Sequence, residues 1–230
     1  LTENSILEVE LRSSPGSFLE IWIDGELDNI LVDSRDGKTY KTVKIGTKVW
    51  MAENLAYLPT VSPPSEWSHT NPYYYVYGYY GSIVSEAKNT VNYSTYGVLY
   101  NWFAASAGCP NGWHLPSDTE WAQLGQYVSD QKGPYDRYEY NWYSVGGHLK
   151  CKSGWYEGGN GTDDFGFSAL PGGSVLDSFS EGEKRSFFFS STNSLNAFLV
   201  WGWILTYEDM NFWRANAYIG SGYSIRCIKD

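Results

Sequence analysis

The sequence predicts a mostly β fold, all-β or α+β, and three observations point there. Short runs of alternating apolar and polar residues recur along the chain, 24 glycines and 18% aromatic residues mark it as rich in turns and strands, and the clearest helical spacing follows Ser117. At 230 residues, with 42% hydrophobic and 18% charged residues, the chain is globular and long enough to bury a core without a covalent staple.

The elements follow in order. In "ILEVELR" Leu7, Val9 and Leu11 share one face, and "FLEIWID" alternates again after "SSPGS", so residues Ile6 to Asp24 read as a hairpin with an exposed edge. "DSRDGKTY" holds Asp36-Gly37 as a β-turn. "KTYKTVKIGTKVWMAENL" reads as a second hairpin, turned at Gly46, with Val43 and Ile45 facing Val49 and Met51. From Pro59 to Tyr100 the tyrosine-dense chain reads as long loops crossed by one short helix. Ser117 and Glu120 spell S-x-x-E ahead of an apolar stripe at Trp121, Leu124 and Val128, the signature of a capped helix start. The last third is glycine-punctuated strand: "FGFSALPGG", "SFFFSST", "NAFLVWGWILTYE" and "GYSIRCIKD". No residue period repeats, which excludes solenoids and propellers.

Charge narrows the partners. A net charge of -10, with 16 basic residues that never form a run, argues against nucleic acid. The densest apolar stretch, "NAFLVWGWILTY", is too short and too β-like to span a bilayer, so no membrane insertion is expected. The chain starts at Leu1 without Met, as expected of an exported protein whose signal sequence or lipoprotein leader has been removed, although an arbitrary boundary would look the same. Extracellular or cell-surface location follows as an expectation, with a lipid anchor as one route.

Catalytic and metal-binding groups are sparse. The cap explains Ser117 and Glu120 without chemistry, and His114 lacks a nearby orienting group for a nucleophilic triad. Cys109, Cys151 and Cys227 are too widely separated for a redox pair or a zinc knuckle. Asn160, Asp163 and Asp164 in "GGNGTDDFG" could offer oxygens to calcium, but the alternating loop of a calcium site is missing and Asp in such a turn usually serves the turn itself. No cofactor and no enzyme activity is expected.

Four stretches carry a resemblance: "DSRDGKTYKTVKIGTKVWMAENL", "YGVLYNW…CPNGWHLPSDTEW", "TDDFGFSALPGG" with "SST" after it, and "GYSIRCIKD". In order and spacing they resemble the Fibrobacter succinogenes major paralogous domain family from Asp33 to the C-terminus, which makes residues 1–32 an N-terminal hairpin extension and 33–230 the module. That family in turn resembles the C-type-lectin-like fold of formylglycine-generating enzymes, where "LPSDTEW" echoes an L-P-T-x-x-E-W helix start and "YSIRC" a terminal G-F-R strand. The resemblance implies an α+β fold with a small twisted antiparallel sheet, two helices and long ordered loops. It does not carry over the activity, because those enzymes use a closely spaced pair of cysteines near the C-terminal end and Cys227 stands alone. Cys109 and Cys227 lie inside the family-like motifs while Cys151 lies where the resemblance is looser, so a Cys109–Cys227 disulfide is expected with Cys151 left over.

Aromatic residues remain to be explained. Eleven Trp and 20 Tyr exceed what one core of this size can hide with every polar tip satisfied. Candidates are "YYYVYGYY" from Tyr73 to Tyr80 and the C-terminal Trp201, Trp203, Tyr207, Trp213 and Tyr218, with Phe212 in the same region. Ligand-binding proteins of the C-type-lectin-like fold display recognition residues just before the terminal strand, which by resemblance favours the C-terminal group. The expected function is a non-catalytic secreted or surface module that binds carbohydrate or a surface protein, in the manner of a bacterial adhesin or glycan-binding domain. The alternatives are a structural subunit of a surface assembly such as a fimbria and, below that, a formylglycine-generating-enzyme-like enzyme.

Overall fold

A computed structural model of the chain describes residues 18–23, 26–139 and 141–230, with burial and side chains described from Ile30 onward. The fold is mixed, mostly antiparallel sheet with few helices. Its main sheet has six strands in the order Phe18–Ile23, Glu26–Val32, Thr39–Ile45, Lys48–Met51, Ile228–Lys229, Trp113–His114. The C-terminal strand is therefore inserted between two strands formed much earlier in the chain, with Ile228 opposite both Trp50 and His114.

The first described strands form a hairpin. Phe18–Ile23 pairs with Glu26–Val32, and Glu26–Val32 pairs onward with Thr39–Ile45, whereas the expected strand Ile6 to Arg12 lies outside the described residues. The turn after it forms as read, with Gly37 at φ +75° and Lys38 N–H donating to Asp36 Oδ1 at 3.1 Å. Buried Asp33 anchors that turn by accepting from the Arg35 guanidinium at 2.8 and 2.6 Å. The second hairpin also forms, but its register corrects the expected facing: Val43 lies opposite Trp50 and Ile45 opposite Lys48.

The helix Asp118–Lys132 starts in a complete capping box, Ser117 Oγ accepting from Glu120 N–H at 3.2 Å and Glu120 Oε2 accepting from Ser117 N–H at 2.9 Å. The chain from Pro59 to Tyr100 holds two short helices, Val84–Lys88 and Val91–Tyr96, where one was expected. Further short helices at Trp102–Ser106 and Gly146–Leu149 also exceed the expected pair. "FGFSALPGG" is loop joined to its neighbours by single bridges at Ala169 and Gly173, not a strand. The strands Arg185–Asn193, Leu199–Thr206 and Trp213–Tyr218 form a separate antiparallel sheet, broken by a bulge between Phe189 and Asn193. At that bulge Thr192 Oγ1 accepts from Asp118 N–H at 3.0 Å and Ser191 N–H donates to Pro116 O at 2.9 Å, which docks the sheet on the helix start.

Two apolar clusters hold these layers. One gathers Leu31, Tyr40, Met51, Leu55, Tyr100, Val200 and Cys227; the other gathers Trp50, Trp121, Phe167, Phe188, Trp203 and Phe212. Cys109 and Cys227 form a disulfide. Arg226, fully buried, donates to Asn54 Oδ1 at 2.7 Å, Met51 O at 3.1 Å, Phe167 O at 2.5 Å and Ser168 O at 2.8 Å, tying two segments to the chain just before the terminal strand.

Candidate functional site

The five aromatics expected to surround one pocket are distributed over separate places. Trp203 is 0% exposed, packs on Phe212 with ring centroids 4.6 Å apart, and donates its indole N–H to Asp118 Oδ1 at 3.1 Å, so it belongs to the core and has no ring face for a ligand. The reason is that Leu199–Thr206 is covered on both faces: Val200 enters one apolar cluster while Trp203 and Leu205 enter the other. Trp201 is half-buried under the Arg214 guanidinium, 3.3 Å from the ring centroid, and Arg214 is itself held by Asp118 at 2.8 and 2.6 Å. Trp213 donates to the Asp209 carboxylate at 2.9 Å and meets Tyr143 edge-on. Tyr207 meets Tyr156 edge-on. Only Tyr218 of the five joins a larger aromatic surface.

That surface is centred on His69. Its ring lies 5.0 Å from Trp67, 5.2 Å from Phe198 and 5.3 Å from Tyr218, and its Nε2 is hydrogen-bonded to the Tyr218 hydroxyl. The Trp67 indole N–H donates to Asp177 Oδ1 at 2.7 Å. Trp67 is 36% exposed, Phe198 53% and neighbouring Leu195 75%, so aromatic and aliphatic faces stay open to solvent. Loops hold them in place. Asn101 Nδ2 donates to Ser68 O and Asn71 O at 3.1 and 2.8 Å, and Tyr75 hydroxyl donates to Glu66 O at 2.7 Å. The tip carrying Leu195 and Phe198 is closed by Ser194 N–H to Leu199 O at 3.0 Å and by Phe198 N–H to Asn196 Oδ1 at 2.9 Å. Flat rings whose polar tips are already engaged can offer apolar faces, while Asp177 supplies an acceptor beside them.

Trp67, His69, Asp177 and Phe198 escape sequence reasoning because they sit in turns and loops with no periodicity, with Trp67 roughly 110 residues from Asp177 and roughly 130 from Phe198. The tyrosine-rich stretch is divided: Tyr75 is buried, Tyr77 accepts from Gly182 N–H at 3.1 Å, and Tyr80 is exposed beside Phe179.

The titratable groups form structural ties. The expectation that His114 lacks an orienting group is corrected, since it bridges Asp230 Oδ1 at 2.6 Å and Glu120 at 3.1 Å, with Lys48 reaching Glu120 at 3.3 Å, so both ring nitrogens are engaged by carboxylates rather than by a nucleophile. Burial alone would raise the Glu120 pKa, but hydrogen bonds from Ser117 and His114 outweigh it and hold the carboxyl below its ordinary value. Of the oxygens considered for calcium, Asn160 accepts from Trp155 N–H at 3.0 Å, Asp163 from Ser168 N–H at 2.7 Å, and Asp164 from Lys132 at 2.9 Å and His148 at 2.7 Å. Those last two partners bring Asp164 down to about 2. Among the described residues, no group of three or more His, Cys, Asp and Glu is arranged to hold a metal ion. Cys151 is buried, which pushes its thiol up. Among the described residues no helix is long and apolar enough to cross a membrane.

Residues 43–229 match the model of the Fibrobacter succinogenes major domain, and the chain belongs to that family. No curated protein and no solved structure matches it significantly.

Proposed function

We propose that this member of the Fibrobacter succinogenes major domain family is a non-catalytic, secreted or cell-surface module that binds carbohydrate, in a C-type-lectin-like arrangement of loops over a twisted sheet. The observation that carries the reading is the open aromatic surface of Trp67, His69, Phe198 and Tyr218 with Asp177 at its border. Aromatic faces stack on the C–H faces of sugar rings, and a carboxylate accepts from their hydroxyls. The Cys109–Cys227 disulfide supports an oxidising compartment. The separate engagement of Ser117, His114 and Asp164 in caps and ion pairs supports a role without catalysis.

The test is binding of the full chain to an array of neutral and acidic glycans, comparing Trp67→Ala and Phe198→Ala with the parent. Each is expected to lose on the order of 2 kcal/mol of binding, about 30-fold, with melting temperature almost unchanged because neither ring fills the core. Absence of any glycan bound by the parent, or unchanged binding in both variants, overturns the reading. The exposed Leu195 and Phe198 tip favours a second one, a structural subunit of a surface assembly that meets a neighbouring chain. In that case the solution mass rises with protein concentration and Phe198→Ala abolishes the rise.

A further inference from the structure

The two-residue loop Gly46-Thr47 and the exposed side of the helix Asp118–Lys132 enclose an open groove of about 550 Å³, a size typical of ligand clefts. Its floor is made by Ile45, Trp50 and Leu124, all buried members of the aromatic core, so the base of the groove is rigid and apolar. The Tyr127 ring forms a wall. It lies so near the Gly46 backbone that a Cβ at that position would stand 3.1 Å from Cδ2, and it meets Phe165 edge-on at 5.9 Å. Gly46 thus serves two ends, the positive φ of the turn and the space beside the ring.

The rim is polar and close to neutral. Lys48 pairs with Glu120 at 3.3 Å, which compensates both charges, and Gln126 Nε2 donates to Asp130 Oδ1 at 2.7 Å, which orients the amide. Among the described residues, the Gln123 amide, the Thr47 hydroxyl and the Tyr127 hydroxyl have no intramolecular hydrogen-bond partner. Groups that both donate and accept therefore converge on an aromatic ring.

We propose that this groove is a second saccharide-binding site, built from other residues than the surface around His69, and that it takes a neutral sugar ring. A sugar presents one face of C–H groups, which suits the Tyr127 ring, and a periphery of adjacent hydroxyls that each donate and accept, which suits the Gln123 and Gln126 amides and Asp130. An anionic ligand would meet Asp130 at the rim and a net charge of -10 beyond it. The ligand class is shared with the proposed function but the residues are not, so either can fail alone.

The test is ¹H–¹⁵N NMR of the full chain titrated with glucose, galactose, mannose, xylose and N-acetylglucosamine, alongside tetralysine. Saturable shifts of the Gln123 and Gln126 side-chain amides and of the Thr47 backbone are expected with at least one of the sugars. A double variant, Gln123→Ala with Gln126→Ala, is expected to keep the fold, since alanine is the better helix former, and to weaken that titration at least tenfold. Trp67→Ala is expected to leave it unchanged. Shifts confined to the surroundings of Trp67 and Tyr218 overturn the groove and leave the first surface standing. Silence of the groove amides with all five sugars, or a response to tetralysine alone, overturns the proposal outright.

Discussion

Glu120 closes the helix start, and at the same time it accepts from His114 and Lys48 on other elements. The local half of this role is legible in the sequence, because a cap is a matter of spacing over three residues. The long-range half is not, and Arg226 makes the same point more strongly: its acceptors Asn54 and Met51 lie 172 and 175 residues away, beyond any local pattern. The protonation of Glu120 provides a test. Its folded pKa lies below the ordinary 4.5, so the stability it contributes is complete above that value and disappears as pH falls through the folded pKa. Asp164, held at about 2 from an ordinary 3.8, acts in the same direction over that lower range, with a share reduced by its exposure. Urea denaturation of the parent is therefore expected to show stability falling from pH 5 toward pH 2. Glu120→Gln should be less stable at neutral pH and show a shallower fall. An identical slope in the variant would remove Glu120 as a source.

Elements were legible where local chemistry decides them. The hairpin Thr39–Ile45 and Lys48–Met51 forms at Gly46, and the helix begins at Ser117, as the turn and cap residues dictate. The hairpin register was missed by one place because a two-residue loop pairs Ile45 with Lys48, so odd-numbered residues face even-numbered ones throughout. Leu199–Thr206 defeats face assignment for a different reason, since both faces are covered and alternation loses its meaning. The Gly46 loop lends itself to a direct measurement. At φ +65° a Cβ is strained, and here it also meets the Tyr127 ring at 3.1 Å. Gly46→Ala is expected to cost about 1 to 2 kcal/mol, read as a lower urea midpoint at unchanged slope. A neutral outcome would mean that the loop relaxes to another turn and that Tyr127 yields.

At the scale of the whole molecule, the family and the mixed, mostly sheet architecture were legible, because motifs in fixed order persist across the chain. The aromatic surface was legible only at Tyr218; Trp67, His69 and Phe198 meet it through loop packing that leaves no periodic trace. The covalent tie joins parts of the chain that are distant in sequence and adjacent in this architecture. Cys109 precedes the strand Trp113–His114, Cys227 precedes Ile228–Lys229, and those two strands are neighbours in the main sheet although the cysteines are 118 residues apart in sequence. Cross-linking so long a loop restricts the unfolded chain, an effect of about 5 kcal/mol in the chain-entropy account. Replacing both cysteines by serine is expected to lower the melting temperature by about 10 °C for a chain of this size, while Cys151→Ser changes the thiol count and leaves the cross-link intact. Alkylation in denaturant should label one thiol before reduction and three after it. Three labelled thiols without reductant, on protein made in an oxidising compartment, would show that the terminal strand is held by packing and hydrogen bonds alone.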